Sequence, residues 1–401
     1  MRPFGALISY QEAKSIIDRH IHPIARTEAV PIDNAVNRVL VDDLIAKMSV
    51  PPFTRAAMDG YAVKAKDTFG AGQFKPKIFK IIGELHAGEN PGKKIKSCEC
   101  IQISTGAVMP DGADAVMMVE DTEREGAEVK FFKSVTPGAN IGKMGEDIKE
   151  GTTILKAGTL LDAAKIGVLA SQGLSRVKVY EKPRIAIVPT GEEIVASGKK
   201  LKPGQLFDIN SHTISALVSA CGGTPIEIDI AVDKAEELRE TIKEALKSDI
   251  VVLSGGSSVG ERDLLVDVIE GWGEIIFHGV QVKPGKPTIF AMIEGKPLIG
   301  MPGYPTSCFI NSYLFLIPAI RKMARLPPHK GDIVKAKLAR RVPGSTGRRQ
   351  FLTIKLVGDE AVSVFKESGA ITSIAEADGY IEIPENIDLL EKGAIVTVTL
   401  F

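Results

Sequence analysis

Residues 183–323 constrain the fold of this chain more than any other stretch. Short apolar runs (RIAIVPTG, TPIEIDIAV and DIVVLSGG) alternate with helix-length segments (NSHTISALVSACGG, DKAEELRETIKEALKS and RDLLVDVIEGWG). Strands that alternate with helices imply a largely parallel sheet covered on both faces. The near-continuous apolar character of IAIV and IVVL predicts strands buried on both sides. Further strands are expected at EIIFHGVQV, PTIFAMI and KPLIGMPG, and a last helix from about Tyr304 to Ala324. Sheets of this kind bind ligands beyond the carboxyl ends of their strands. The segments TGEE, SGGSS and MPGYP all fall at that edge.

The flanks read differently. SYQEAKSIIDRH (9–20) is helical in pattern, with Ser9 as N-cap and Glu12 three residues on. Leu160–Gly173 repeats the theme, with Asp162 before AAKIGVLASQG and Gly173 as the stop. Between them, residues 51–137 show β-type alternation broken by Gly and Pro, and 138–159 form the return strand and loop. Pro327-Pro328 marks a break, after which DIVKAKLARRV, QFLTIKLV and AIVTVTLF alternate with period two. The expected fold class is multidomain α/β and β. A helical spine (1–50 plus 138–180) carries a β-rich insert (51–137), followed by a central doubly wound α/β domain (181–326) and a small all-β terminal domain (327–401).

A chain of 401 residues with 44% apolar side chains has the means to bury several cores. Its 50 basic and 50 acidic residues cancel, which argues against a general nucleic-acid binder. The longest apolar run, Tyr313–Ile320, is far too short to span a bilayer. The N-terminal MRPFGALISYQEA lacks a secretory pattern, so a cytoplasmic protein is expected. Four cysteines make neither a CxxC motif nor a disulfide framework, and the six histidines form no metal pattern.

Four loops carry chemistry. Leu253–Gly260 (LSGGSSVG) follows a buried strand and precedes a helix, with Asp263 three residues on. Gly-rich backbone at a helix N-terminus offers N–H donors to an anion; an ordinary capped turn fits equally well. Thr190-Gly-Glu-Glu193 places a hydroxyl and two carboxylates on one turn, suited to a divalent cation or to simple helix-start charge. Lys283-Pro-Gly-Lys286 sets two ammonium groups on one turn, to converge on an anion or to remain solvated. Pro302-Gly-Tyr-Pro-Thr-Ser307 puts a hydroxyl near a helix start. Asp59 sits earlier in a Gly-containing turn, AMDGY.

The order and spacing of seven blocks go further than any loop alone: PPFTRAAMDGYAV, STGAVMPDGADAVMMVED, GEDIKEGTTILKAGTLL, PTGEEI, SGGSSVGERDL, VKPGKP and MPGYPTS. Through them the sequence resembles the molybdopterin molybdenumtransferases, the MoeA family, whose fold also forms the E-domain of gephyrin. The resemblance spans essentially the whole chain. It implies a helical spine with a β insert, a central domain of the molybdopterin-binding type and a C-terminal β-barrel. It implies a homodimer whose active cleft joins the central and C-terminal domains of one subunit to the insert of the other. The implied reaction inserts molybdate into adenylylated molybdopterin and releases AMP, with Mg2+ required. Contact with the molybdopterin adenylyltransferase of the preceding step is also implied. The alternatives are a tungstate-inserting paralogue or a gephyrin-like scaffold without catalysis.

The resemblance also assigns residues. Both substrates are anionic, so cations and neutral donors should hold molybdate: Lys283, Lys286, Ser307, Arg348 and Ser368, with Arg349 as a substitute for Arg348. The catalytic acidic set is Asp59, Glu193, Asp233 and Asp263, of which Glu193, Asp233 and Asp263 would hold Mg2+. Asp233, which opens the segment DKAEELRE, fits a helix N-cap as well. Thr105, Asp147, Thr190, Gly255, Gly256 and Ser257 would hold the pterin and phosphates. Two departures stand out: Tyr304 where the family usually has Asn, and Glu192 where it often has Asp.

Overall fold

The structure, a computed structural model, describes residues 6–231, 234–255 and 264–401. The chain forms two compact units: one comprises residues up to Ala29 with Asn37–Val39 and Lys178–Phe401, the other Val30–Val36 with Leu40–Val177.

The first unit is built on a six-stranded sheet in the order Thr224–Glu227, Arg184–Pro189, Ile250–Ser254, Lys296–Met301, Ile289–Ile293 and Glu274–His278. The first four strands run parallel, and Ile289–Ile293 runs antiparallel to both of its neighbours. Successive residues of the central strands point to opposite faces, and both faces are apolar. Ile185, Ile187, Ile250 and Val252 meet the helices Tyr10–His20, Asn210–Ala220 and Ile317–Met323. Ala186, Val188, Val251 and Leu253 meet Ala235–Ala245 and Leu264–Glu270. Burial on two sides is why these strands read as unbroken apolar runs.

Two sequence expectations are refined. EIIFHGVQV is not one strand. It ends at His278, and after Gly279 the chain passes Val282–Lys283 to another sheet. The last helix runs as Pro305–Asn311 and Ile317–Met323 with a π-helical segment, Ser312–Leu316, between them. Pro318 has no N–H to give to the turn before it, and a widened turn there accommodates the loss.

Residues 333–400 close into a five-stranded barrel. Arg349–Val357 pairs with both Glu360–Ser363 and Gly379–Ile383, Ile333–Leu338 pairs with Glu360–Ser363 and Ile395–Leu400, and Ile395–Leu400 returns to Gly379–Ile383. Val282–Lys283 adds to this sheet in parallel, with Val282 opposite Arg349 and Lys283 opposite Gln350.

The second unit holds a six-stranded sheet in the order Ala115–Met118, Gly60–Val63, Glu99–Ile103, Lys77–Leu85, Glu128–Phe131 and Thr122–Glu125. Leu44–Ile45 pairs with Thr153–Leu155, and Arg55–Ala56 with Ile141–Gly142, so the outgoing and returning chains are laced together. The helix Ala163–Ser171 is capped by Asp162, whose Oδ1 accepts from the Lys165 N–H at 3.0 Å. Ser9 caps Tyr10–His20 in the same way through the Glu12 N–H. Among the described residues, no helix is long and apolar enough to cross a membrane.

A buried carboxylate anchors the start of the central sheet. Asp249 accepts both guanidinium nitrogens of Arg26, at 3.0 and 2.8 Å, and the Arg184 N–H at 2.8 Å. Burial alone would raise its pKa; the Arg26 hydrogen bonds, the Arg184 N–H and the charges of Arg26 and Lys296 outweigh that and hold it below the usual carboxylate range. A carboxyl depressed in the folded state adds stability above its unfolded pKa of about 3.9 and loses it as pH falls through the folded value. Asp249→Asn should therefore cost about 1–2 kcal/mol near neutral pH, discounted because Arg26 is half exposed. The deficit against the parent should shrink as denaturant midpoints are measured below about pH 4. A deficit that stays constant on acidification would contradict this.

Candidate functional site

At the carboxyl edge of the central sheet three loops converge. The Thr190 N–H donates to the Ser254 carbonyl at 3.0 Å, and the Gly255 N–H to the Met301 carbonyl at 3.2 Å. Gly255 has φ +105°, and a Cβ there would stand 2.5 Å from the Thr190 carbonyl oxygen. Only glycine lets these backbones approach so closely. Asn210 Nδ2 donates to the Gly303 carbonyl at 2.8 Å and ties in the third loop. Thr190 is buried in this junction. Glu193 lies just beyond it with its carboxylate folded over Gly191, exposed and with no side-chain partner among the described residues.

The basic candidates lie on segments bonded to one another. Lys283 is in the two-residue strand that pairs in parallel with Arg349–Gln350, which sets Lys283 opposite Gln350, two residues on from Arg348. The Arg349 N–H donates to the Gln281 carbonyl at 2.9 Å and extends that ladder. The helix start is fastened to the barrel as well. The Thr306 N–H donates to the Ser368 carbonyl at 3.0 Å, and Thr306 Oγ1 to the Ala370 carbonyl at 3.1 Å. Ser307, next in sequence, is buried, while Lys283, Lys286, Arg348 and Ser368 are half-buried. Tyr304 stands 67% exposed with its ring against Gly369.

The two adjacent arginines differ. Arg349 is engaged with Glu385 and Glu382, each at 2.9 Å, and lies over the Tyr10 ring. Arg348 has no side-chain hydrogen bond or ion pair among the described residues, so its fork of donors is available to an oxyanion. Cys308, next to Ser307, is no nucleophile: burial, reinforced by the charge of Asp208, pushes its thiol up to about 12.

In the second unit, Asp59 Oδ1 accepts the Thr105 N–H at 2.6 Å and Thr105 Oγ1 at 2.8 Å. Asp147 is exposed on a separate loop, its N–H bonded to the Val50 carbonyl at 3.1 Å. Asp233, Gly256, Ser257 and Asp263 lie outside the described residues. Among the described residues, no group of three or more His, Cys, Asp or Glu side chains gathers to hold a metal ion.

This arrangement can be set beside known proteins. Residues 8–173 match the family described as MoeA N-terminal region (domain I and II), residues 186–322 the probable molybdopterin binding domain, and residues 335–401 the MoeA C-terminal region (domain IV). The chain is 34% identical over 387 residues to a putative molybdopterin biosynthesis protein of Methanocaldococcus jannaschii, covering 94% of this chain and 92% of that one. The chain belongs to the MoeA family. A second relative, the molybdopterin molybdenumtransferase of Haemophilus influenzae, is 30% identical over 404 residues, which is 98% of this chain and 99% of that one. Among solved structures, a MoeA protein from Pyrococcus horikoshii superposes with a TM-score of 0.86 at 41% identity, covering 98% of this chain and 99% of that one. The family's multidomain fold, with a central α/β domain and a terminal barrel, is the one expected from the sequence.

Sequence reasoning did not find Asn210 or Thr306. Both bond to backbone carbonyls of loops distant in sequence, and the only local hint is a polar residue in a helical first turn. It did find Asp59 and Thr105, though not that they touch. The Thr105 N–H, followed by its hydroxyl, holds the Asp59 carboxyl below the usual carboxylate range. Replacing Thr105 with Val removes the hydroxyl and keeps the N–H. The Asp59 carboxyl should then titrate at a higher pH, read from its carboxyl carbon signal by NMR; an unmoved titration would refute the contact.

Proposed function

We propose that this protein is a molybdopterin molybdenumtransferase that takes adenylylated molybdopterin and molybdate, passes the metal to the two dithiolene sulfurs and releases AMP. The observation that supports this reading is the pairing of Val282–Lys283 with Arg349–Gln350, which joins the segment that leads into the lysine turn to the strand that follows Arg348. Lys283, Lys286 and Arg348 would draw the molybdate dianion, and Ser307 and Ser368 would add neutral donors. A carboxylate in their place would repel it: at about 4 Å, two like unit charges cost about 4 kcal/mol at an effective dielectric of 20. The acidic residues therefore belong to the other substrate.

Thr190, Gly255, Gly256 and Ser257 would receive the pterin and phosphate end at the loop junction. Glu193, Asp233 and Asp263 would hold Mg2+, a hard cation suited to carboxylate oxygens; Glu193, exposed and without a side-chain partner among the described residues, fits that role. When bound, the ion would neutralise charge on the pyrophosphate. Asp59, Thr105 and Asp147 would complete the cleft from the insert of a second copy in a homodimer. A cytoplasmic enzyme that receives its substrate from the molybdopterin adenylyltransferase follows from the same reading. Tungstate, with the same charge and shape as molybdate, would engage the same donors.

Two tests bear on this. Lys286→Ala and Arg348→Ala should each raise the molybdate concentration for half-maximal AMP release by about 10-fold to 100-fold, the worth of one charge-assisted contact. Arg349→Ala should instead lower the unfolding temperature and leave that value nearly unchanged; the reverse pattern would sink the assignment. If the cleft is shared, mixing Lys286→Ala and Asp59→Asn proteins under subunit exchange, at a molybdate concentration well below that needed by Lys286→Ala, should restore activity, because a mixed dimer regains one intact cleft. Persistent inactivity in mixed dimers would count against a shared cleft.

A further inference from the structure

We propose that Asn311 and Thr288 form a buried clamp that positions the Lys283–Lys286 turn against the helix carrying Ser307; the inference rests on the oxyanion reading above. Both side chains are fully buried. Asn311 Nδ2 donates to the Gly285 carbonyl at 3.1 Å and to Thr288 Oγ1 at 2.5 Å. Thr288 Oγ1 in turn donates to the same Gly285 carbonyl at 2.8 Å. The apex of the lysine turn is thus held by two donors on a single oxygen.

The backbone is shaped around this contact. Gly285 has φ +104°, and a Cβ there would fall on the Asn311 amide. A side chain at the apex would expel the clamp, whatever its chemistry. Asn311 Oδ1 has no hydrogen-bond partner among the described residues. A bare buried acceptor is a cost that an apolar residue of similar size would avoid, so the amide is explained by its donor half.

Asn311 lies four residues after Ser307 on the same helix, and positions four apart share a helix face. The clamp therefore links the face that carries Ser307 to the turn that carries Lys283 and Lys286. The turn is fixed on its other flanks by the Val282–Lys283 pairing and by the Val280 N–H on the Lys286 carbonyl at 2.9 Å. Removing the clamp releases the apex alone. A shift of about 1 Å at a binding group is enough to cost up to about a hundredfold.

The test uses Thr288→Val, which keeps the shape and loses the hydroxyl, Thr288→Ser, which keeps the hydroxyl, and Asn311→Leu. AMP release is measured with molybdate varied and adenylylated molybdopterin saturating, and then the reverse, with thermal unfolding followed in parallel. Thr288→Val and Asn311→Leu should raise KM for molybdate about tenfold and leave KM for adenylylated molybdopterin within about twofold. Thr288→Ser should match the parent. A fall in kcat with both KM values unchanged, or a loss that only tracks the folded fraction, would mean a purely structural role and overturn the clamp. If Asn311→Leu fails to fold, the Thr288→Val and Thr288→Ser pair decides. Lys286→Ala is run beside them. If it raises KM for molybdate and Thr288→Val does not, the clamp alone is wrong; if Lys286→Ala changes nothing, the oxyanion reading falls and takes the clamp with it.

Discussion

Two residues of backbone, Val282 and Lys283, tie the central domain to the barrel. They leave the central sheet and become a strand on the barrel, aligned with Arg349 and Gln350. Barrel residue Phe351 also packs into the central core, but it is this pairing that aligns Lys283 with the strand that begins at Arg349. The spacing of Lys283 and Arg349 is set by strand geometry, which is far stiffer than a loop. The Thr306 bonds to the 368–370 segment repeat the device one loop away. Closure of the barrel braces the strand that receives Lys283.

The charges follow from the same frame. The chain is neutral overall; Lys283 lies on the segment that passes from the central domain to the barrel, and Glu193 lies at the carboxyl edge of the central sheet. Buried donors and close glycines set the loops, while the charged groups remain accessible. This suits a protein that must admit two anions and keep them in order. Asp59 shows the complementary tactic: an exposed carboxylate is aimed and kept ionised by Thr105, whose N–H and hydroxyl both favour the charged form.

Much of this was legible in the sequence, for identifiable reasons. The central strands were readable because burial on two faces leaves an unbroken apolar run, as in Ile250–Ser254. The helix starts at Ser9 and Asp162 were readable because capping is local chemistry. The ordered motifs carried the family. What the sequence hid depends on long-range pairing. Nothing local separates QV from EIIFH, so the transfer of Val282–Lys283 to the barrel was invisible. The engagement of Arg349 by Glu382 and Glu385 depends on barrel closure, and Arg348 and Arg349 look alike in a string. Asn311 and Thr288 read as ordinary polar residues until their shared carbonyl is seen.

The preoccupation of Arg349 has a further meaning. Glu382 and Glu385 engage it, so under the proposed reading the guanidinium left for a dianion is that of Arg348. A trap with a surplus of cations would bind an oxometalate hard and release it slowly. If the proposed reading holds, a rim with half its arginine charge withheld would suit handing the oxometalate over rather than storing it.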